Sequence, residues 1–196
     1  MATENSSVLD FDALNLLGRF DDIAALREYL ENNQRENCGV LVADKNEVAD
    51  IVLDILIMSY MYGESFANTL FGTDFSASEE EVNITVDRKV DGKDYRDRVL
   101  EYVEANDIEG IMNVADTESH HAFSKAEDNT ARQAGKKSKM WVTMGDDRVR
   151  DPHRLLDGKL IGIDEAFEID GASAMYPGSF GRADLDCNCR CYLLYK

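Results

Sequence analysis

Residues 140–191 read MWVTMGDDRVRDPHRLLDGKLIGIDEAFEIDGASAMYPGSFGRADLDCNCRC, and this stretch decides the fold. The chain's only tryptophan, Trp141, lies in it, with both prolines, one of three histidines and three of four cysteines. Tryptophan and cysteine are usually buried or chemically engaged. Between them stand turn-forming groups: Met144-Gly145-Asp146, Asp157-Gly158, Asp170-Gly171 and Pro177-Gly178. Short apolar runs separated by such turns predict a small β unit that closes on itself.

Outward from that unit, towards the N-terminus, the pattern becomes helical. Asp10 is placed to cap a short helix over 11–17 that stops at Gly18. Asp21 or Asp22 then starts a second helix, with Ile23, Leu26, Tyr29 and Leu30 at helical spacing, ending at Asn32-Asn33. Cys38 follows in a loop or short strand and reads as a small buried residue. Asp44 caps a long helix from Lys45 to about Phe71, with Val48, Ile51, Val52, Ile55 and Leu56 on its apolar face and Gly63 placed to bend it. The stripe Met58, Tyr60, Met61 and Tyr62 reads as core, with a partner-binding groove as the alternative.

Ser76 and Ser78 each precede a Glu by three residues, the pattern of a capping box. The alternation of Val82, Ile84 and Val86 offers a strand over 83–90 as the alternative to a helix there. Asp91-Gly92 is a turn, 94–104 a helix, and 108–133 a second long helix that stops at Gly135 and leads into the Trp141 strand. The fold class is therefore α+β. An acidic, mostly helical N-terminal region, 1–106, precedes a domain over 107–196 made of a long helix and a small antiparallel, β-rich unit.

Charge separates the two parts as well. Residues 1–118 carry 9 basic and 27 acidic side chains, whereas 119–196 carry 12 of each, so the whole net charge of −18 sits in the front part. Such a surface disfavours a DNA backbone and suits a basic protein surface or a metal ion, or is simply a solvated face. The second part is neutral but locally basic, and Lys136, Lys137 and Lys139 are its candidates for nucleic-acid contact. The apolar run Ile51–Tyr62 is interrupted at Asp54 and is shorter than the roughly 20 residues of a membrane span. No secretory or transit signal is visible, so the four cysteines point to a reducing compartment, where thiols are free or metal-bound more often than bridged.

His153, Cys187, Cys189 and Cys191 are the sharpest chemical constellation. On a strand, alternate cysteines share a face but lie about 6.5–7 Å apart, so one metal needs the chain to bend near Asp186-Cys187-Asn188. Buried thiols beside an imidazole are the first reading, a structural zinc site the second, a disulfide or redox role the third. Asp146, Asp147, Arg148, Arg150 and His153 read first as a hydrogen-bonded network that pins turns and second as a catalytic pair with anion-binding arginines. Glu118 on the long helix can turn towards that loop, and His120-His121 reads as a solvent-facing pair. No P-loop, no G-x-S-x-G and no nucleophile in a recognisable setting occurs, and no catalytic residue is assigned.

The order Trp141-Val-Thr, Asp147-Arg148-Val-Arg150-x-x-His153, Leu156-Asp-Gly158, Phe167, Tyr176-Pro177-Gly178 and Asn188-Cys189-Arg190-Cys191 resembles the C-terminal domain of the phage Mu F-like minor head proteins, the phage head morphogenesis family. The resemblance covers about 108–194. It implies a virion component inside the procapsid, made in the host cytoplasm, that associates with portal or capsid proteins and packaged DNA. It implies no enzyme activity, no small-molecule substrate and no membrane partner. Some relatives carry a toxin or nuclease domain after the Cys-Arg-Cys strand; with five residues after Cys191, none is expected here. Two departures stand out. Asp116 occupies the place where relatives often have Arg before Thr-Glu, and Cys187 is added to the usual pair. The alternatives carried forward are a nucleotide-processing effector enzyme using Glu118, Arg148 or Arg150 and His153, and a zinc-stabilised binding module.

Overall fold

Among the described residues, five helices precede the sheet. The computed structural model describes residues 11–196, with side chains from Asp22 onward, so the cap expected at Asp10 lies outside the described residues. Helix α1 (Phe11–Glu36) runs unbroken through Gly18, Asp21 and Asn32-Asn33, where the sequence predicts boundaries. A glycine inside a helix costs about 1 kcal/mol and does not by itself end it. The chain turns at Cys38 and Gly39 instead, with φ of 58° and 87°. Cys38 is consequently exposed in a turn and is not a core residue, because the left-handed backbone there aims it at solvent.

Helix α2 (Lys45–Phe71) starts where Asp44 accepts the N–H groups of Asn46 and Glu47. Helix α3 (Glu79–Val86) covers the first half of the segment 83–90. Ser78 accepts the Glu81 N–H, three glutamates fill the first turn, and Val86 is buried while Ile84 faces solvent at 67% exposure. The cap and the i, i+4 pair Val82/Val86 outweigh the two-residue alternation. Helices α4 (Tyr95–Glu104) and α5 (Ile108–Gln133) begin at the caps Asp94 and Asp107. Leu26, Leu30, Val48, Val52, Leu56, Val99, Ile111 and Ala115 belong to one helical core.

Helix α5 is the shared spine. Its first half lies in the helical core, and Ala122 and Ala126 pack with Tyr60 of α2. Gly63 lets the two helices touch: a Cβ there would stand 2.5 Å from the Phe123 carbonyl oxygen. Its role is close approach, and α2 continues through it. In the Met/Tyr stripe Tyr60 is core, whereas Met58 and Met61 are 37% and 53% exposed.

The tail forms two small antiparallel sheets. Strand β1 (Ser138–Val142) is central, with β2 (Leu160–Gly162) on one side and β5 (Tyr192–Tyr195) on the other, and Trp141 stands opposite Leu193. Strands β3 (Phe167–Ile169) and β4 (Ala172–Ala174) form a hairpin, and α6 (Asp151–Arg154) and α7 (Ala183–Asp186) are single turns. Trp141, Leu156, Phe167, Phe180, Leu185, Cys189, Cys191 and Leu193 make the second core. The architecture is helical in front and a small antiparallel β unit behind.

Candidate functional site

His153 sits on α6, fully inside the second core, among aromatic rings. Its ring meets Trp141 edge-on at 5.7 Å and Phe180 at 5.9 Å, and Trp141 in turn meets Phe167 at 5.1 Å. Pro152 at the head of α6 presets the turn that aims it inward. Nδ1 of His153 lies 3.7 Å from the Cys189 sulfur and 3.5 Å from the Cys191 sulfur. Asn188 makes this possible by taking φ of 54°, the bend that Asn tolerates better than most residues.

Cys187 does not join the group. It closes α7 in an extended conformation, and its carbonyl accepts a hydrogen bond from Arg150. The three ligand-bearing atoms of His153, Cys189 and Cys191 lie within 4.8 Å of one another, all in buried residues. Cys187, on the other side of the bend at Asn188, stays outside that group. The Cys191 thiol is held below its ordinary pKa by Cys189 beside it, against burial, with the Trp141 indole N–H adding to the effect. The same contact and burial push Cys189 up.

Arginines brace the outside of this core. Arg190 grips Asp146 with two parallel hydrogen bonds of 2.8 and 2.7 Å, holding the Asp146 carboxyl below the usual carboxylate range. Arg154 reaches the carbonyls of Val149 and Asp146. Asp146, Asp147 and Arg148 are all exposed, and Asp146 is the one that pairs with Arg190. Gly158 takes φ of 74° and donates its N–H to the Trp141 carbonyl, a conformation that suits glycine. The opening above His153, Cys189 and Cys191 measures about 10 Å³, room for about one water and far less than an organic ligand needs. A larger recess of about 430 Å³ is lined by residues 168–173 of the hairpin and holds none of these side chains.

A second polar centre, which the sequence does not reveal, lies on α5. Glu118 is 2% exposed and faces Arg88 and Arg98, away from the Arg148 loop. Arg88 donates to it through Nε at 2.5 Å and Nη2 at 3.0 Å, and Arg98 adds 2.7 Å. The same Arg88 reaches the Gly178 carbonyl and Asp186, which itself accepts the N–H groups of Phe180 and Gly181. Burial works to raise the Glu118 pKa, but the hydrogen bonds and charge of Arg88, with Arg98, hold it below the ordinary value. The histidine pair is not solvent-facing. His121 is buried and donates from Nδ1 to Gly178 O at 2.9 Å, and burial with Arg88 nearby lowers its pKa to about 3. His120 has a buried Nε2 without a hydrogen-bond partner, and its ring interacts with the Cys189 thiol.

Of the three candidate nucleic-acid lysines, Lys139 is ruled out as a surface contact. It is 0% exposed, its ammonium 3.6 Å from Asp128 beneath the sheet. Two residues before Trp141, it shares that residue's buried face of β1, where its ammonium also lies over the Phe167 ring. Lys136 lies over the Phe71 ring at 4.7 Å, and Lys137 is exposed.

Helices closed by a small tryptophan-, histidine- and cysteine-centred β unit define the domain class, and comparison with known proteins gives the family. Residues 80–194 match the family described as Phage Mu protein F like protein, and the chain belongs to it. The match opens in α3 and so includes Arg88 and Arg98. The chain is similar to the minor head protein GP7 of Bacillus phage SPP1, 45% identical over 85 residues, 41% of this chain and 28% of that protein. It is also similar to the NAD(+)--arginine ADP-ribosyltransferase EFV of Enterococcus faecalis, 47% identical over 53 residues, 27% of this chain and 11% of that protein. The chain thus matches less than a third of either relative's length. No solved structure matches.

Proposed function

We propose that this protein is a structural component of a phage head, acting in head assembly within the procapsid and associating with the portal and packaged DNA. Family membership and the similarity to a minor head protein support the assembly role. The observation that carries the non-enzymatic part is the state of the chemically capable residues. Glu118 is consumed by two guanidinium groups, and the opening over His153 admits about one water. A catalytic carboxylate needs a substrate within hydrogen-bond reach, and both Glu118 oxygens already accept guanidinium N–H groups. The acidic helices are suited to a basic surface on the portal or capsid, and exposed Lys137, Arg148, Arg154 and Lys159 to the DNA side.

The test is co-expression with the portal and major capsid proteins of the same genome, followed by purification of procapsids. The protein is expected to co-sediment with procapsids, and with portal alone when capsid protein is omitted. Absence from both fractions contradicts the reading.

A further inference from the structure

The buried thiols and imidazole remain unused by the assembly role, and their geometry is specific. A tetrahedral zinc ion, with bonds of about 2.3 Å to sulfur and about 2.0 Å to nitrogen, sets each sulfur–nitrogen edge at about 3.5 Å. Two such edges are present here, at 3.5 and 3.7 Å, from one imidazole nitrogen to two sulfurs. Thiols that merely pack beside a ring need not converge on one nitrogen. The three donors come from two separated parts of the chain, α6 and the segment before β5, so an ion between them ties those parts together. The small opening above them fits an ion and excludes an organic ligand.

We propose that His153, Cys189 and Cys191 hold one structural zinc ion, with His120 of α5 as the fourth ligand. His120 is the donor at hand: its Nε2 is buried with no partner, and its ring already interacts with Cys189. It stands outside the 4.8 Å group, so it swings towards the ion on binding. This assignment replaces Cys187 with a histidine and makes the set Cys₂His₂, a closed structural type rather than a catalytic one. The ion would link the spine helix to the β unit, and the Trp141 indole N–H beside Cys191 is placed to donate to a metal-bound thiolate.

The experiment uses the full chain produced in zinc-supplemented medium under reducing conditions. Elemental analysis is expected to find about one zinc per chain, lost in Cys189→Ser and Cys191→Ser and retained in Cys187→Ser. Because the serine variants can fail to fold, the wild type supplies two further readouts. Chelation is expected to lower its melting temperature and to open Cys189 and Cys191 to alkylation, while Cys38 reacts before and after. Cobalt substitution is expected to give thiolate charge-transfer absorption with tetrahedral d–d bands. His120→Ala is expected to raise the zinc dissociation constant at least tenfold; an unchanged constant removes His120 from the set. A wild-type protein that carries no zinc, and shows no such absorption when titrated with cobalt, overturns the site.

Discussion

Arg88, outside the Trp-to-Cys stretch, ties that stretch to the helices. Its guanidinium joins Glu118 on α5, the Gly178 carbonyl in the turn and Asp186 on α7, three points far apart in sequence. Removing one partner of a buried ion pair leaves an uncompensated charge, at a cost of about 3–5 kcal/mol. Arg88→Ala is therefore expected to lose that much stability in denaturant unfolding. Arg88→Lys is expected to recover little of it, since an ammonium cannot fork onto a carboxylate and a carbonyl together. A Lys variant as stable as wild type would show that the fork is not what matters.

Two buried groups on the next turns of α5 set the pH dependence in opposite directions. Burial, with Asp128 adjacent, raises the Glu127 pKa from 4.5 to about 8. Between those values the folded chain holds a proton that the unfolded chain has lost, so stability falls as pH rises. His121 moves from 6.5 down to about 3, so the unfolded chain holds the extra proton there and stability falls as pH drops. From pH 4.5 to 6.5 the two slopes oppose each other, leaving a plateau with declines on either side. Glu127→Gln is expected to remove the alkaline decline and to keep the acid one, read as melting temperature across the range. An alkaline limb unchanged in that variant would assign it to another group.

Among the elements, α5 is decisive, because each half is committed to a different core. Gly63→Ala is expected to cost about 1–3 kcal/mol in thermal or denaturant unfolding, since the new methyl meets backbone of α5 and cannot be relieved by a side-chain rotation. On the sheet side, Asp128 bonds Arg132 at 2.7 Å and faces the buried ammonium of Lys139. Asp128→Asn is expected to destabilise by about 3–5 kcal/mol, because Lys139 then keeps its charge with no counter-ion. Asn there with wild-type unfolding would mean that Lys139 is neutral in the fold.

How much of this was legible depended on whether the signal was local. The cap at Asp44 and the capping pattern at Ser78 are legible because a cap acts within three residues, though the alternation over 82–86 competed with the second. The Trp141 strand and the turns at Gly158 and Gly178 are legible for the same reason. Gly18 misleads, since a glycine is a stop only where the next contacts favour one. The convergence of His153 with Cys189 and Cys191 could be read from residue type and spacing, whereas the exclusion of Cys187 needed the backbone at Asn188. Nothing local links Arg88 to Glu118 and Asp186, 30 and 98 residues away. The one available hint was an acid on a helix at a position where no adjacent arginine stands, with Asp116 before it.

At the scale of the whole molecule, Glu118, Arg150 and Arg190 are engaged in ion pairs and hydrogen bonds that join separate parts of the chain. Glu118 and Arg88 lock helices to the β unit, and the arginines flanking His153 hold its loops closed. No helix among the described residues is long and apolar enough to cross a membrane. The asymmetric charge leaves an acidic helical surface and a neutral β unit with scattered exposed bases, the arrangement on which the proposed contacts with a basic protein surface and with DNA rest.

The central claim is that these polar centres hold shape and perform no chemistry. Counting this chain by mass spectrometry in heads assembled with wild type, and with the paired variant Arg88→Met, Glu118→Gln, tests it most directly, with the folded fraction of each measured alongside. The account predicts wild-type protein in the heads, and variant protein incorporated in proportion to its folded fraction. A fully folded variant that is left out of heads, or that enters them and leaves them non-infectious, would contradict it.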